Sequence, residues 1–270
     1  MKKIVAIAAL LATTIAFGQA QKKNGWERAQ LKGKVKTVVQ SGIQVGENGE
    51  EIPMNSELFS QFDKKGTVVK MQSKQNGMTI KFVDVYDKNG NMLESASRDD
   101  SNTLLSKNVY EYDERGNLTK HDVETPDGNI FMSRINVYNE QNQLVERTDC
   151  IAGMCQDKTT YKYTPEGKLS EESKFTKDEL TSKTVYTYDA KGNVVEKQVF
   201  DKDNALKQRV VSAFDKNDNE VEVKYFDKDG NVTKTETYEF VYDKKNNWTK
   251  KTMSVNGQRV TIFTQKLKYF

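Results

Sequence analysis

Few residues of this chain could perform catalysis, and they do not form a recognisable set. The 270 residues include one histidine, His121. Nucleophilic hydrolysis needs a base held beside a serine or cysteine, and no Ser-His-Asp or Cys-His set can be assembled around this residue. Other copies of a repeat described below place Arg147, Glu172 or Lys197 at the same position. We therefore expect His121 to be an exposed strand residue, and we expect no enzymatic activity.

Two acidic turns superficially resemble calcium-binding loops. Residues 215–219 read Asp-Lys-Asn-Asp-Asn, and residues 227–231 read Asp-Lys-Asp-Gly-Asn. An EF-hand loop has glycine at its sixth position and glutamate at its twelfth. The first turn has Glu220 and Phe226 at those positions, and the second turn also lacks both ligands. Turn chemistry alone accounts for this composition, so we predict neither a metal site nor a cofactor.

The two cysteines, Cys150 and Cys155, enclose the apolar sequence Ile-Ala-Gly-Met. In an oxidising compartment this spacing predicts a disulfide across the tip of a hairpin. A metal site is disfavoured, because no histidine or further cysteine lies nearby in the sequence. Turn chemistry does not explain the apolar tip, residues 151–154, which either contacts a partner or folds back onto the sheet.

The first twenty residues have the features of a secretory signal. Lys2 and Lys3 precede an apolar stretch, residues 4–17, that is too short for a stable membrane anchor. Small residues two positions apart suit the signal peptidase and predict cleavage after Ala20, which places the mature protein in the periplasm or outside the cell. The predicted organisation is a signal peptide, an N-terminal lead-in and a β-hairpin repeat domain, at residues 1–20, 21–34 and 35–270.

Composition narrows the possible partners. The chain has 42 basic and 39 acidic residues, evenly mixed along the sequence. Nucleic acid binding requires a concentrated positive surface, which this balance does not provide. No segment after residue 20 is apolar for long enough to span a membrane as a helix. The partner that we expect is therefore an envelope protein or a polysaccharide.

The elements that position these residues belong to an internal repeat. A tyrosine and an aspartate followed by a Gly-Asn pair begin at Tyr86, Tyr112 and Tyr188. Less complete copies begin at five other aromatic residues: Phe62, Tyr138, Tyr163, Phe214 and Tyr242. The period of about 26 residues is typical of a supersecondary unit stacked on its neighbours. A second polar turn follows each motif about twelve residues later, so each period predicts two strands and two tight turns.

These turns predict an all-β fold of about eighteen antiparallel strands. All turns of the first kind should lie along one edge of the meander, and all turns of the second kind along the other. Asn76-Gly77 predicts a two-residue hairpin, because both positions of a type I′ turn need positive φ. The segment after Glu51 contains Pro53 and is expected to be a loop. The predicted architecture is an elongated β-meander repeat array whose sheet twists or spirals.

One column of side chains is charged in every copy of the repeat. Two residues after the start of each outgoing strand stand Glu94, Lys120, Glu146, Glu171, Glu196, Glu222 and Lys250. A lipid-facing strand needs apolar residues at every second position, and a charge at mid-depth costs about 2–4 kcal/mol. The column is therefore expected to face water, which argues against an outer-membrane barrel.

Tyrosines form two columns on the incoming strands, as Tyr-x-Tyr pairs that share one face of the sheet. In a structural role, aromatic cross-strand pairs would stabilise neighbouring hairpins by about 0.2–1 kcal/mol each. In a binding role, exposed rings with hydroxyls would stack on a sugar or a peptide. Both interpretations are open at this point. The candidate ligand-binding residues are Tyr110, Tyr112, Tyr161, Tyr163, Tyr186, Tyr188 and Trp248.

The sequence Tyr-x-Tyr-Asp-x-x-Gly-Asn-Leu at residues 110–118 resembles the YD repeat of the RHS family. The resemblance covers roughly residues 82–250, and residues 247–250 (Asn-Trp-Thr-Lys) are similar to the closing repeat of small secreted Bacteroidetes proteins of this kind. It implies a long sheet that winds into a spiral or shell, and carbohydrate binding. The period is longer than the roughly twenty residues usual in YD arrays, and the resemblance does not extend to toxin delivery. MORN-type hairpin arrays are a second resemblance.

The functional expectation is a secreted, non-enzymatic β-repeat protein that acts as a binding or scaffold module of the cell envelope. Its ligand is not identified by the sequence. The alternative is a carbohydrate-binding protein that uses the tyrosine columns. The two differ in whether these columns are buried or line an open concave face.

Overall fold

The computed structural model describes residues 24–270. The predicted signal at 1–20 lies outside the described residues and stays a prediction. A four-residue helix, α1 (Gly25–Arg28), precedes 18 strands, so the predicted all-β meander and its strand number are confirmed. The strands are β1 (Val35–Val45), β2 (Glu51–Phe62), β3 (Val68–Gln75), β4 (Met78–Tyr86), β5 (Met92–Arg98), β6 (Leu104–Tyr112), β7 (Leu118–Glu124), β8 (Ile130–Tyr138), β9 (Leu144–Ile151), β10 (Met154–Tyr163), β11 (Leu169–Thr176), β12 (Glu179–Tyr188), β13 (Val194–Asp201), β14 (Leu206–Phe214), β15 (Glu220–Phe226), β16 (Val232–Tyr242), β17 (Trp248–Val255) and β18 (Gln258–Tyr269).

The sheet closes on itself. Each strand pairs with the next one in the chain, and β1 pairs antiparallel with both β2 and β18. Val38 in β1 lies opposite Ser60 in β2 on one side and Leu267 in β18 on the other. The expected open sheet that twists or spirals is therefore wrong, because the eighteen strands form a β-barrel. Closure pairs the two edge strands that an open sheet would leave with free backbone groups.

Turns of the first kind have the local chemistry that the repeat predicts. Asp113 Oδ1 accepts the backbone N–H groups of Arg115 at 3.0 Å and Asn117 at 2.8 Å. Gly116 closes the turn at φ +84°, where a side chain would be strained. The same aspartate-to-amide contacts recur at Asp189. The repeat motif therefore encodes a turn in which the side chain of aspartate replaces a backbone acceptor.

Two predictions about connecting segments have opposite outcomes. Asn76 and Gly77 have φ values of 48° and 88°, so the predicted two-residue hairpin between β3 and β4 is confirmed. The segment after Glu51, expected to be a loop because of Pro53, is instead part of strand β2. Pro53 lies opposite Ile43 beside a register shift in the β1–β2 pairing. A proline is tolerated at such an irregularity because the ladder there does not need its missing N–H.

Side chains along each strand point alternately to the lumen of the barrel and to its outer surface. Near the first kind of turn, the face that carries the tyrosines is the less exposed one. Asn136 on that face is 9% exposed, whereas Ile135 and Val137 beside it are 42% and 48% exposed. A concave face crowds its side chains, so the tyrosine face is the lumen face. The charged column lies on the outer face, since Lys120 stands opposite Glu111 and Ile135.

The hydrophobic core is small and lies where the N-terminal lead-in enters the barrel. Val35, Val38 and Phe62 form its buried centre, and Trp26 of α1 packs against them. The indole Nε1 of Trp26 donates to the carbonyl of Val35 at 2.7 Å. The Asn24 side chain caps α1 by accepting the N–H of the helix at its third position. The lead-in is thereby anchored to the lumen face of the first strands.

The lead-in then crosses the end of the barrel formed by the first kind of turn. The backbone N–H of Lys32 donates to Asn247 Oδ1 at 2.7 Å, in the turn between β16 and β17. Burial raises the pKa of Tyr112 at the end of β6, and the nearby Arg28 guanidinium opposes that shift. One segment of nine residues, 24–32, therefore reaches turns on both sides of β1.

Candidate functional site

Four tyrosines at the ends of incoming strands form hydrogen bonds to the strand that precedes them in the chain. Each hydroxyl donates to the carbonyl of the first residue of the preceding strand: Tyr112 to Met92, Tyr138 to Leu118, Tyr163 to Leu144 and Tyr188 to Leu169, at 2.7–3.0 Å. A β-bulge interrupts the ladder beside these carbonyls, as between Glu111 and Tyr112. The hydroxyl donors of three candidate residues, Tyr112, Tyr163 and Tyr188, are therefore used by the fold.

The second tyrosine column lies deeper on the lumen face. The ring of Tyr110 stacks on His121 with their centroids 4.7 Å apart. Tyr186 Oη donates to Glu172 Oε2 at 3.2 Å, and Tyr161 is only 4% exposed. Burial raises the pKa of both Tyr110 and Tyr161 to about 12. These rings are packed into the wall of the barrel and do not form a freely exposed row.

The expected exposure of His121 is wrong. Its ring is half-buried on the lumen face, where it hydrogen-bonds through Nε2 to Asn108 Oδ1 at 2.9 Å. Burial lowers the pKa of this imidazole, and the Arg134 guanidinium adds to the shift. The equivalent residues in other copies, such as Arg147, also lie on the lumen face. Charged residues at this repeat position therefore indicate a polar lumen, which the sequence pattern alone did not distinguish from an outer surface.

A cavity of about 340 Å³ lies where the lead-in meets the turns at the end of the barrel. It is lined by residues 29–32, residues 217–219, Tyr242, residues 246–248 and Gln265. The lining therefore comes from the lead-in, from two turns of the first kind and from β18. Of the seven predicted ligand-binding residues, Trp248 lines this cavity and the six tyrosines do not.

Polar side chains around this cavity are held in place by hydrogen bonds. Tyr242 Oη donates to Asp215 Oδ2 at 2.8 Å and accepts from Asn219 Nδ2 at 2.7 Å. The Asn247 amide binds both backbone groups of Lys32, at 2.7 Å and 2.8 Å. Burial and the Asp215 carboxylate raise the pKa of Tyr242 to about 12. A lining fixed in this way is preorganised for a ligand of defined shape.

Trp248 is the one tryptophan among the residues that line the cavity. Its backbone carbonyl accepts from Gln265 Nε2 at 3.0 Å, and Gln265 Oε1 accepts from Gln40 at 2.7 Å. Within residues 24–270, the indole Nε1 makes no hydrogen bond to the protein, and the residue is half-buried. Trp248 therefore brings to the cavity lining an indole ring whose N–H has no protein acceptor among the described residues.

The predicted disulfide is confirmed. Cys150 and Cys155 are joined across the β9–β10 hairpin, where they occupy a directly opposed pair of positions. Ile151 and Met154 in the tip are 51% and 61% exposed. The tip therefore does not fold back onto the sheet, and a contact with a partner stays a prediction.

The acidic turns use their carboxylates internally. Asp227 Oδ1 accepts the backbone N–H groups of Asp229 and Asn231, both at 2.9 Å. Between residues 24 and 270 no group of three or more His, Cys, Asp or Glu side chains could hold a metal ion. In the same part of the chain, no helix has the length and apolar character needed to cross a membrane.

Comparison with known proteins shows structural likeness but no family. No family model matches the chain, and no curated protein matches it. A porin-like protein from Bacteroides uniformis has a TM-score of 0.48 at 10% identity, over 88% of this chain and 99% of that chain. The Tc holotoxin pore of Photorhabdus luminescens has a TM-score of 0.36 at 11% identity, over 82% and 15% of the two chains. A putative outer membrane lipoprotein-sorting protein domain from Vibrio parahaemolyticus has a TM-score of 0.26 at 12% identity, over 86% of each.

The resemblance to YD-repeat and MORN-type proteins is wrong. No model of either family matches, and the sheet closes into a barrel instead of winding as an open array. The Tyr-Asp-x-x-Gly-Asn pattern has a local explanation instead. It combines an aspartate-capped turn with a tyrosine beside a bulge, which any regular series of hairpins can use.

Proposed function

We propose that this protein is a non-enzymatic binding protein of the cell envelope and that it binds a carbohydrate in the cavity beside Trp248. The observation that carries the proposal is the lining of that cavity, where an indole ring lies among fixed amide groups. Sugars present an apolar C–H face that packs on an aromatic ring and hydroxyls that bond to polar groups. A volume of about 340 Å³ suits one or two sugar units.

The chemistry of the barrel interior supports a polar ligand over an acyl chain. Ser95 Oγ donates to Asp84 Oδ1 at 2.7 Å on the lumen face. This polar surface continues across the next strands through Asn108, His121 and Arg134. An acyl chain would remove water from these groups without replacing its hydrogen bonds, at a cost of about 1–3 kcal/mol for each group.

Two features favour an envelope location. The predicted signal would direct the chain out of the cytoplasm. The Cys150–Cys155 disulfide is of the kind that persists in oxidising compartments. A binding protein in the periplasm or outside the cell would meet polysaccharide fragments there.

Trp248 fluorescence provides the test. The chain has two tryptophans, and Trp26 lies in the core, so Trp26→Phe leaves Trp248 as the only indole. Titration of this variant with a panel of neutral and acidic oligosaccharides should give a saturable change in fluorescence with at least one of them. Calorimetry with that sugar should show binding at least about tenfold weaker for Trp248→Ala than for the unmodified protein.

The matched control is Trp26→Phe measured by calorimetry, which should bind as tightly as the unmodified protein. The proposal fails if no sugar in the panel changes the fluorescence of a folded protein. It also fails if Trp248→Ala binds the identified sugar with unchanged affinity.

A further inference from the structure

Two arginines on the lumen face share one carboxylate. Arg134 on β8 donates through Nε to Asp149 Oδ1 at 2.7 Å. Arg147 on β9 donates through Nε to Asp149 Oδ2 at 3.0 Å. Neither guanidinium makes another hydrogen bond within residues 24–270. Two positive charges therefore contact the one Asp149 carboxylate, while Asp157 opposite Asp149 on β10 accepts from Thr176 instead. The terminal amino groups of both arginines make no hydrogen bond within the described residues.

The two guanidinium groups are fixed but accessible. Asp149 accepts from both, one on each carboxylate oxygen, and the side chains of Arg134 and Arg147 are 31% and 23% exposed. A planar guanidinium matches the two oxygens of a carboxylate or phosphate with parallel N–H donors. Two such forks anchored by a common carboxylate are therefore arranged to receive an oxyanion from the lumen.

A buried acceptor next to these arginines indicates a second ligand group. Asn136 is 9% exposed, and its Oδ1 has no hydrogen-bond partner among the described residues. Its Nδ2 is occupied, because it donates to the carbonyl of Leu118 at 2.8 Å. Asn136 lies directly opposite Arg147, two positions along β8 from Arg134. A buried carbonyl without a donor is unfavourable, so a ligand hydroxyl that displaces the atoms covering Oδ1 would stabilise the site.

We propose that Arg134, Arg147 and Asn136 form an oxyanion-binding site in the barrel lumen, with Asp149 as the residue that positions both arginines. Its ligand carries a carboxylate or phosphate next to a hydroxyl, as in a sugar acid or a sugar phosphate. The site is on β8 and β9, whereas Trp248 is on β17. It stands independently of whether the cavity beside Trp248 binds a neutral sugar.

Calorimetry at low ionic strength tests this site with four probes: glucuronate, glucose 6-phosphate, inorganic phosphate and glucose. The unmodified protein should bind glucuronate, glucose 6-phosphate or both, and should bind glucose more weakly at this site. Binding of glucuronate alone identifies a carboxylate ligand, and binding of glucose 6-phosphate with inorganic phosphate identifies a phosphate ligand. Arg147→Gln should weaken anion binding by about tenfold or more, because hydrogen bonds between charged groups are lost.

The Arg147→Lys variant distinguishes the contribution of the planar guanidinium from that of its positive charge. It keeps the positive charge but loses the planar fork, so it should fold like the unmodified protein and still bind the anion more weakly. The matched control is Arg209→Gln on the outer face, where Arg209 Nε donates to Glu196 at 2.9 Å, and it should leave anion binding unchanged. The inference is overturned if the folded protein binds none of the three anions, or if Arg147→Gln and Arg209→Gln have equal effects.

Discussion

Tyr138 Oη donates to the carbonyl oxygen of Leu118 at 3.0 Å. The tyrosine ends strand β8, and Leu118 begins strand β7, directly beside a bulge. The contact recurs in the hairpins that end at Tyr112, Tyr163 and Tyr188. In these four hairpins the tyrosine therefore ties the end of the incoming strand to the start of its partner. It explains why an aromatic residue with a hydroxyl recurs at this position.

Replacing one of these hydroxyls should lower stability. Tyr163→Phe keeps the ring but removes the donor to the Leu144 carbonyl, so the free energy of unfolding should fall by about 0.5–1.5 kcal/mol in urea titrations. Tyr110→Phe is the matched control, since the Tyr110 hydroxyl makes no hydrogen bond within the described residues. It should change stability by less than about 0.5 kcal/mol. Equal losses of unfolding free energy in the two variants would contradict a structural role of the Tyr163 hydroxyl.

A comparison of two glycines tests the packing of the lead-in. Gly66 and Gly90 have φ values of +87° and +82°, but a β-carbon at Gly66 would lie 2.7 Å from Trp26 and one at Gly90 would meet nothing within 4 Å. Gly90→Ala should cost about 1 kcal/mol from backbone strain alone. Gly66→Ala should cost about 2–4 kcal/mol, because the overpacking against Trp26 adds to the strain. Similar unfolding midpoints for the two variants would show that Trp26 does not pack against this turn.

Removal of the disulfide should weaken the protein without unfolding it. The Cys150–Cys155 loop is short, so its closure restricts the unfolded chain by only about 2 kcal/mol. Cys150→Ala/Cys155→Ala should therefore unfold cooperatively at a lower urea concentration than the oxidised protein. The oxidised protein in reducing buffer should match the double variant. Loss of strand signal in the circular dichroism spectrum of the variant would contradict this expectation.

Stability should decline at high pH because of the tyrosines in the lumen. Burial raises the pKa of Tyr110, Tyr161 and Tyr163 from 10.0 to about 12. Their neutral forms are favoured in the folded state, so this contribution is complete below pH 10 and is lost as the pH rises through about 12. Absorbance at 295 nm should show two groups of tyrosines, one of which ionises only near or after unfolding. A single ionisation midpoint near pH 10 for all tyrosines of the folded protein would contradict this prediction.

His121 gives a complementary signal at low pH. As the only histidine in the chain, it has one imidazole resonance whose titration should give a pKa below 6.5, because burial and then Arg134 disfavour the charged ring. A lowered pKa contributes stability above the unfolded value, and this contribution is lost as the pH falls through the folded value. Arg134→Gln should move the pKa of His121 upward but not beyond 6.5. A pKa of 6.5 in the unmodified protein would place the ring in solvent, and a higher pKa would place it beside a dominant carboxylate. Either result would contradict the prediction.

The local elements were predictable because their determinants are local. Gly116 and Asp113 specify a turn within five residues, and Asn76-Gly77 specifies another, so the number of strands follows from counting turns. The segment that contains Pro53 was wrongly predicted to be a loop, because a bulge in the neighbouring strand can accept a residue that a regular ladder would reject. The exposure of His121 was predicted wrongly, because the alternation of side chains along a strand defines two faces but does not say which face becomes concave.

The binding features depend on contacts that no repeat pattern contains. Trp248 could be nominated as an aromatic residue, but its cavity forms only when residues 29–32 return to the turns near Asn219. Arg134 and Arg147 are ordinary charged residues in the sequence, and their common carboxylate appears only when β8 and β9 are paired in register.

By itself the sequence determined the hairpins, their turns, the disulfide and the near-neutral mixed charge, because each depends on residues close together in the chain. Closure was decided only in the tertiary structure. Val38 and Leu267 meet across the β1–β18 seam although the whole meander separates them in sequence. Backbone N–H and C=O groups form that seam, and every residue except proline carries the same pair. The accumulated twist and tilt of eighteen strands therefore determine whether the first strand meets the last.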